Sequence, residues 1–152
     1  MSVECQVITR PVQPTLSIRT RAAVQDIPSV LGQTYGAIGA YLGKLGEHPA
    51  GPPFVAYYNM DMQDLDLEIG FPVTHQLPGE GNIQACEMAA GDYGVCIHVG
   101  PYGTMEPTYQ TLAEYITQQG REANGTAYEV YIDDPAIVPM EEMQTQILFP
   151  LK

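Results

Sequence analysis

Apolar and polar residues alternate in short runs on either side of two stretches where apolar residues recur every third or fourth position. Leu16, Ile18 and Thr20 alternate with Ser17, Arg19 and Arg21, so 16–21 reads as a strand. A second strand over 3–8 lies across a turn that carries Pro11 and Pro14. Ile27, Leu31, Tyr35, Ile38, Leu42 and Leu45 then form an amphipathic helical stripe, with Asp26 or Ser29 beside Pro28 at its start and Gly46 as its stop. Within that helix, Gly32, Gly36, Gly39 and Gly43 each cost about 1 kcal/mol against Ala, which predicts a close-packed neighbour. Strands at 54–59 and 65–71 flank a polar turn at 61–64.

The same plan follows a second time. Strands are expected at 83–88 and 94–99, separated by a turn at 90–92, with Val95, Ile97 and Val99 on one face. Thr104 is placed to cap a second helix that has Pro107 in its first turn, Met105, Thr108, Leu112, Tyr115, Ile116 and Gln119 along one side, and Gly120 as its stop. Strands at 128–132 and 145–149 complete the chain. Tyr35, Tyr41, Gly46, Gly51 and Tyr57 recur 74 residues later as Tyr109, Tyr115, Gly120, Gly125 and Tyr131, and Ile69 to Val73 returns 78 residues later as Ile147 to Leu151. This points to an α+β fold: a duplicated strand-strand-helix-strand-strand unit with pseudo-two-fold symmetry, making an antiparallel sheet with two helices. One domain over 1–152 is expected, with repeat 1 at about 1–74, repeat 2 at about 83–152, and a linker at 75–82 holding Pro78, Gly79 and Gly81.

Charge narrows the choice of partner. Eighteen acidic side chains against six basic ones give a net charge of −12, which repels phosphate backbones and anionic membrane surfaces and favours a cationic small molecule or a basic protein. No run is long enough to cross a bilayer and no secretory leader is visible, so a soluble, cytoplasmic protein is expected. Cys5, Cys86 and Cys96 form no C-x-x-C pair; although Cys86 and Cys96 lie within reach across a hairpin, reduced buried thiols are expected. His48, His75 and His98 have no common spacing, so neither a metal centre nor a cofactor is expected. The motifs of serine hydrolases, P-loop NTPases and dinucleotide-binding folds are missing.

A duplicated scaffold that carries a function breaks its symmetry at the site. Val55 in the first copy corresponds to Glu129 in the second. Alternation puts Glu129 and Tyr131 on one strand face and Tyr128, Val130 and Ile132 on the other. If the second face packs on the helices, Glu129 points into a groove between the copies; the alternative is a solvated strand carboxylate. Tyr57, Tyr58, Tyr102, Tyr128 and Tyr131 fall on strands or strand ends, suited to hold flat or cationic ligands, whereas Tyr35, Tyr41, Tyr109 and Tyr115 are assigned to core filling. His98, at a strand end, either donates to a ligand or serves the structure.

Five segments together resemble the GyrI-like small-molecule-binding family, the effector-binding domain of bacterial multidrug-responsive transcription regulators. They are Gly51 to Phe54 through Tyr57, Leu67 to Val73, His98 to Tyr102, Tyr128 to Pro135, and Thr145 to Pro150. The resemblance covers essentially the whole chain and implies a ligand groove at the pseudo-dyad. It implies that Glu129 is the family's buried acid, which meets the positive charge of lipophilic cations, and that Tyr102, Tyr57 and Tyr131 are walls. The chain departs from the family pattern at Gln146, where a second Glu is frequent, and at Tyr128, where Trp is frequent; Glu68, aligned with Gln146, keeps a carboxylate on the other side. With the first strand starting near residue 3, no DNA-reading segment fits ahead of it, so a stand-alone form without direct nucleic-acid binding is expected. The resemblance implies capture of lipophilic or cationic aromatic compounds, as effector or toxin. It leaves open hydrolysis of reactive cyclopropane-bearing compounds by Glu129 with Tyr102 or His98, and a protein-interaction role toward DNA gyrase or a regulator.

Overall fold

Ile27–Leu45 forms helix α1, which ends where Gly46 takes a left-handed conformation at φ 71° and returns its N–H to the carbonyls of Gly43 and Leu42. The structure is a computed structural model that describes residues 4–134 and 136–152. Val3, expected to open the first strand, and Pro135, the last residue of one motif, lie outside the described residues.

Two compact units make up the chain. One is Val12–Ala89; the other joins Ala90–Lys152 to the segment that ends at Pro11. In the first, strands β2 (Gln13–Ala22), β3 (Phe54–Tyr57), β4 (Leu65–Pro72) and β5 (Gln84–Met88) pair in the order β3-β4-β2-β5, all antiparallel. Leu16 and Ile18 of β2 meet Ile38, Tyr41 and Leu42 of α1, and Val73, Leu77 and Ile83 close the core. The polar end of Tyr41 is satisfied by donation to the Pro78 carbonyl at 2.7 Å.

In the second unit, β1 (Cys5–Arg10), β6 (Gly91–Val99), β7 (Ala127–Tyr131) and β8 (Gln144–Pro150) pair in the order β1-β6-β8-β7, also antiparallel. Helix α2 (Glu106–Gln118) lays Leu112 and Ile116 over Cys96 and Ile147, with Met105 completing the cluster. The α+β class with two helices and antiparallel strands is as expected. The compact units do not coincide with the sequence halves, because β1 pairs with β6 and β5 pairs with β2.

Three local expectations are corrected. The four glycines of α1 meet nothing, since a Cβ built on Gly32, Gly36, Gly39 or Gly43 finds no atom within 4 Å, and all four are exposed. They carry the entropic cost of glycine without a packing return, so Gly36→Ala and Gly39→Ala are each expected to raise stability by about 0.5–1 kcal/mol, read as a higher urea midpoint at unchanged slope. Thr104 is not the cap of α2; that position is Met105, and Thr104 closes a short 3-10 turn over Tyr102–Thr104. Finally, the cysteines are not all reduced. Cys5 and Cys96 stand opposite each other in the β1–β6 register with Cα atoms 4.6 Å apart and are joined as a disulfide, leaving Cys86 free and half-buried. A separation of 91 residues hid this pairing from any local reading.

Candidate functional site

Glu129, on β7 of the second unit, is buried, with 8% of its surface exposed. Register explains its surroundings. In one row across the sheet Glu129 faces Ile147, which faces Cys96; in the next, Tyr131 faces Thr145, which faces His98. Both rows lie on the face that α2 covers, since Cys96 and Ile147 belong to the cluster of Leu112 and Ile116. The alternation expected for this strand is correct, but its faces are exchanged: Glu129, not Tyr128, points toward the helix. Tyr128 is on the reverse face, where its ring packs edge-on against Tyr93 at 6.5 Å.

Two phenols hold the carboxylate. Tyr109, from the first turns of α2, donates its hydroxyl to Oε2, and Tyr131 donates to Oε1 at 2.8 Å. No ion pair among the described residues includes Glu129. Burial pushes its pKa up from the ordinary carboxyl value, and the hydrogen bonds from Tyr109 and Tyr131, with His98 nearby, pull it only partly back. Tyr102 leans on Tyr131 edge-on at 5.5 Å and is 41% exposed. Its hydroxyl is made less acidic by burial first, then by the negative charges of Glu129, Asp133 and Asp134, so this corner of the molecule presents a negative field to an approaching ligand.

His98 is buried beside this group with both ring nitrogens occupied, Nδ1 by Thr108 Oγ1 at 2.8 Å and Nε2 by the Pro101 carbonyl and Thr104 Oγ1, each at 3.1 Å. The structure therefore brings together Glu129, Tyr131, Tyr102 and His98 of the residues expected from sequence. Gln146 is separated from them: it faces Val130 and Ile97, on the sheet face opposite Glu129.

Tyr57 and Glu68 belong to the other unit and lie on opposite faces of its sheet. Tyr57 stands across from Leu67, on the side of the α1 core, whereas Glu68 accepts hydrogen bonds from Ser17 at 2.6 Å and from Tyr58. Arg19, the cross-strand neighbour of Glu68, stacks its guanidinium over Tyr58 at 4.0 Å, so this carboxylate has a guanidinium close by, whereas Glu129 is in no ion pair among the described residues.

Tyr109 is the site residue that sequence reasoning assigned to the core. Its counterpart 74 positions earlier, Tyr35, donates to the Phe54 carbonyl at 3.2 Å, one residue from Val55. The phenol recurs at the same offset, and the carboxylate appears in only one of the two places. Among the described residues no group of three or more His, Cys, Asp or Glu side chains is arranged to hold a metal ion, and no helix is long and apolar enough to cross a membrane.

A family model described as the GyrI-like small molecule binding domain matches residues 4–152. The crystal structure of the EcmrR C-terminal domain is 22% identical with a TM-score of 0.86, the match covering 100% of this chain and 99% of that one. Against EcmrR in its complex with DNA, the match covers 99% of this chain but only 57% of the regulator, so this chain spans little more than half of that protein. A hydrolase from Listeria innocua is 14% identical with a TM-score of 0.74, covering 98% of this chain and 92% of that one. SAV2435, bound to tetraphenylphosphonium, is 15% identical with a TM-score of 0.69, covering 98% and 94%. No curated protein sequence matches the chain. At these identities the structural likenesses are likenesses of fold.

Proposed function

Since this chain belongs to the GyrI-like small molecule binding domain family, we propose that it captures lipophilic aromatic cations at Glu129, with Tyr131 and Tyr102 as walls and Tyr109 holding the carboxylate in place. The observation that carries this reading is a carboxylate 8% exposed, fixed by two phenols, with no cation paired to it among the described residues. An ionised carboxylate taken out of water costs several kcal/mol, and a bound positive charge offsets that cost. A unit charge about 5 Å away contributes roughly 3 kcal/mol at an effective dielectric near 20. Burial of ~200 Å² of aromatic ligand surface adds about 5 kcal/mol before the cost of ordering, so micromolar affinity requires both contributions.

The recurrence of Tyr35 as Tyr109, with Val55 answering to Glu129, supports a further part of this reading: the chain is a duplicated unit in which one copy acquired the carboxylate. Tetraphenylphosphonium, the ligand of SAV2435, is the probe of choice. Calorimetric titration is expected to give micromolar binding of that cation, and binding at least tenfold weaker for neutral triphenylphosphine oxide. Equal affinity for the two would remove the charge from the mechanism. A hydrolase using the same carboxylate would instead convert a reactive cyclopropane into a product heavier by one water, which mass spectrometry detects.

A further inference from the structure

His98 is 5% exposed, and its Nε2 faces the segment that carries Tyr102 rather than open space. The Pro101 carbonyl has only lone pairs to offer, so Nε2 is the protonated nitrogen and donates to it at 3.1 Å. Nδ1 then accepts from the Thr108 hydroxyl at 2.8 Å, fixing the ring to α2. Thr104 adds a third tie: its hydroxyl donates to the same Pro101 carbonyl at 2.7 Å and lies 3.1 Å from Nε2. The chain enters this turn through Gly100, at φ 126°, whose N–H donates to the Met143 carbonyl at 2.8 Å. Tyr102 thus stands between two residues, Pro101 and Thr104, that are both fastened to one imidazole.

We propose that His98 is a positioning residue for Tyr102: it sets the Pro101–Thr104 turn so that the Tyr102 ring meets Tyr131, and it does not itself touch the ligand. The importance of this for binding rests on Tyr102 being a wall of the site described above; the positioning itself does not. The chain has no tryptophan, so Tyr102→Trp supplies a single reporter of that ring's surroundings. In this background His98→Asn, which replaces the Nδ1 side and removes the Nε2 donor from the Pro101 carbonyl and Thr104, is expected to shift the emission to the red and lower its anisotropy. His98→Gln carries an amide N–H toward the place of Nε2 and is expected to restore both. Thr104→Val, at an exposed position, should move the emission in the same direction by a smaller amount, and serves if His98→Asn fails to fold.

His98→Asn is expected to weaken tetraphenylphosphonium binding about tenfold when Tyr102 is present and to have no further effect in a Tyr102→Ala chain. Losses that add in full would mean that His98 contacts the ligand directly, and an emission unmoved by both His98→Asn and Thr104→Val would overturn the positioning role. If the unsubstituted chain does not bind the cation while the emission still responds, the ligand reading fails and the positioning stands.

Discussion

Glu129→Gln is expected to weaken tetraphenylphosphonium binding by thirtyfold or so, about 2 kcal/mol, while the protein melts at the same or a higher temperature at neutral pH. The two effects have opposite signs because one carboxylate causes both. Gln keeps an acceptor for one phenol and fills nearly the same volume, so the packing of α2 on β7 survives, but the negative charge is gone. The pH dependence makes the test sharper. Burial holds the native pKa of Glu129 above the ordinary 4.5. Below 4.5 folded and unfolded chains are both protonated at this position. Between 4.5 and the raised native value the folded chain holds the extra proton, so stability from this group falls as pH rises and then levels off. The stability advantage of Glu129→Gln should therefore open from about pH 4.5 upward, by up to ~1.4 kcal/mol for each pH unit of the interval. Cation affinity of the unsubstituted chain should rise across that same interval, because only the ionised form attracts the ligand. An affinity that ignores pH and survives Glu129→Gln would refute the assignment.

Gly70→Ala is expected to destabilise the protein by about 3 kcal/mol, the opposite of the gain expected at the exposed glycines of α1. Gly70 on β4 faces Ser17 on β2, and an added Cβ would lie 2.3 Å from the Leu16 carbonyl oxygen and 2.8 and 2.9 Å from the Ser17 Cβ and Cα. Those atoms are backbone or fixed to it, so the strands must part, and the Ser17 to Glu68 hydrogen bond is drawn into the change. Gly94→Ala is the useful control. There the close atoms are the Cδ1 and Cγ1 of Ile116, at 2.6 and 2.7 Å, which belong to a side chain and not to the backbone, so a smaller loss is expected. Urea denaturation that ranks Gly70→Ala well below Gly94→Ala would support this account, and equal losses would reject it.

The parts of this architecture written in short-range periodicity were readable from sequence. The stripe from Ile27 to Leu45 and the stops at Gly46 and Gly120 were legible because helix formation and termination depend on neighbours three and four positions away. The break in the repeat at Val55 and Glu129 marked the carboxylate without any coordinates. Strand partnership was not legible, since β1 finds β6 through residues some 90 positions away, and for the same reason the Cys5–Cys96 bridge went unforeseen. The face of β7 was misjudged because Tyr128 and Val130 look as apolar as the core requires, while the helix-facing side holds a charge whose partner, Tyr109, comes from α2. Tyr109 was nonetheless within reach of sequence reasoning: the offset of 74 pairs it with Tyr35 as surely as it pairs Glu129 with Val55, and reading the two pairs together would have linked phenol to carboxylate.

The exchange of edge strands between sequence halves bears on how the molecule is made. As the polypeptide is synthesised, Cys5–Arg10 has no ladder to join until Gly91–Val99 has emerged, and the sheet begun by β2, β3 and β4 lacks its outer strand until Gln84–Met88 follows. Neither unit can be finished from its own half of the sequence, so Cys5–Arg10 must wait for its pairing partner until about 80 further residues have been made.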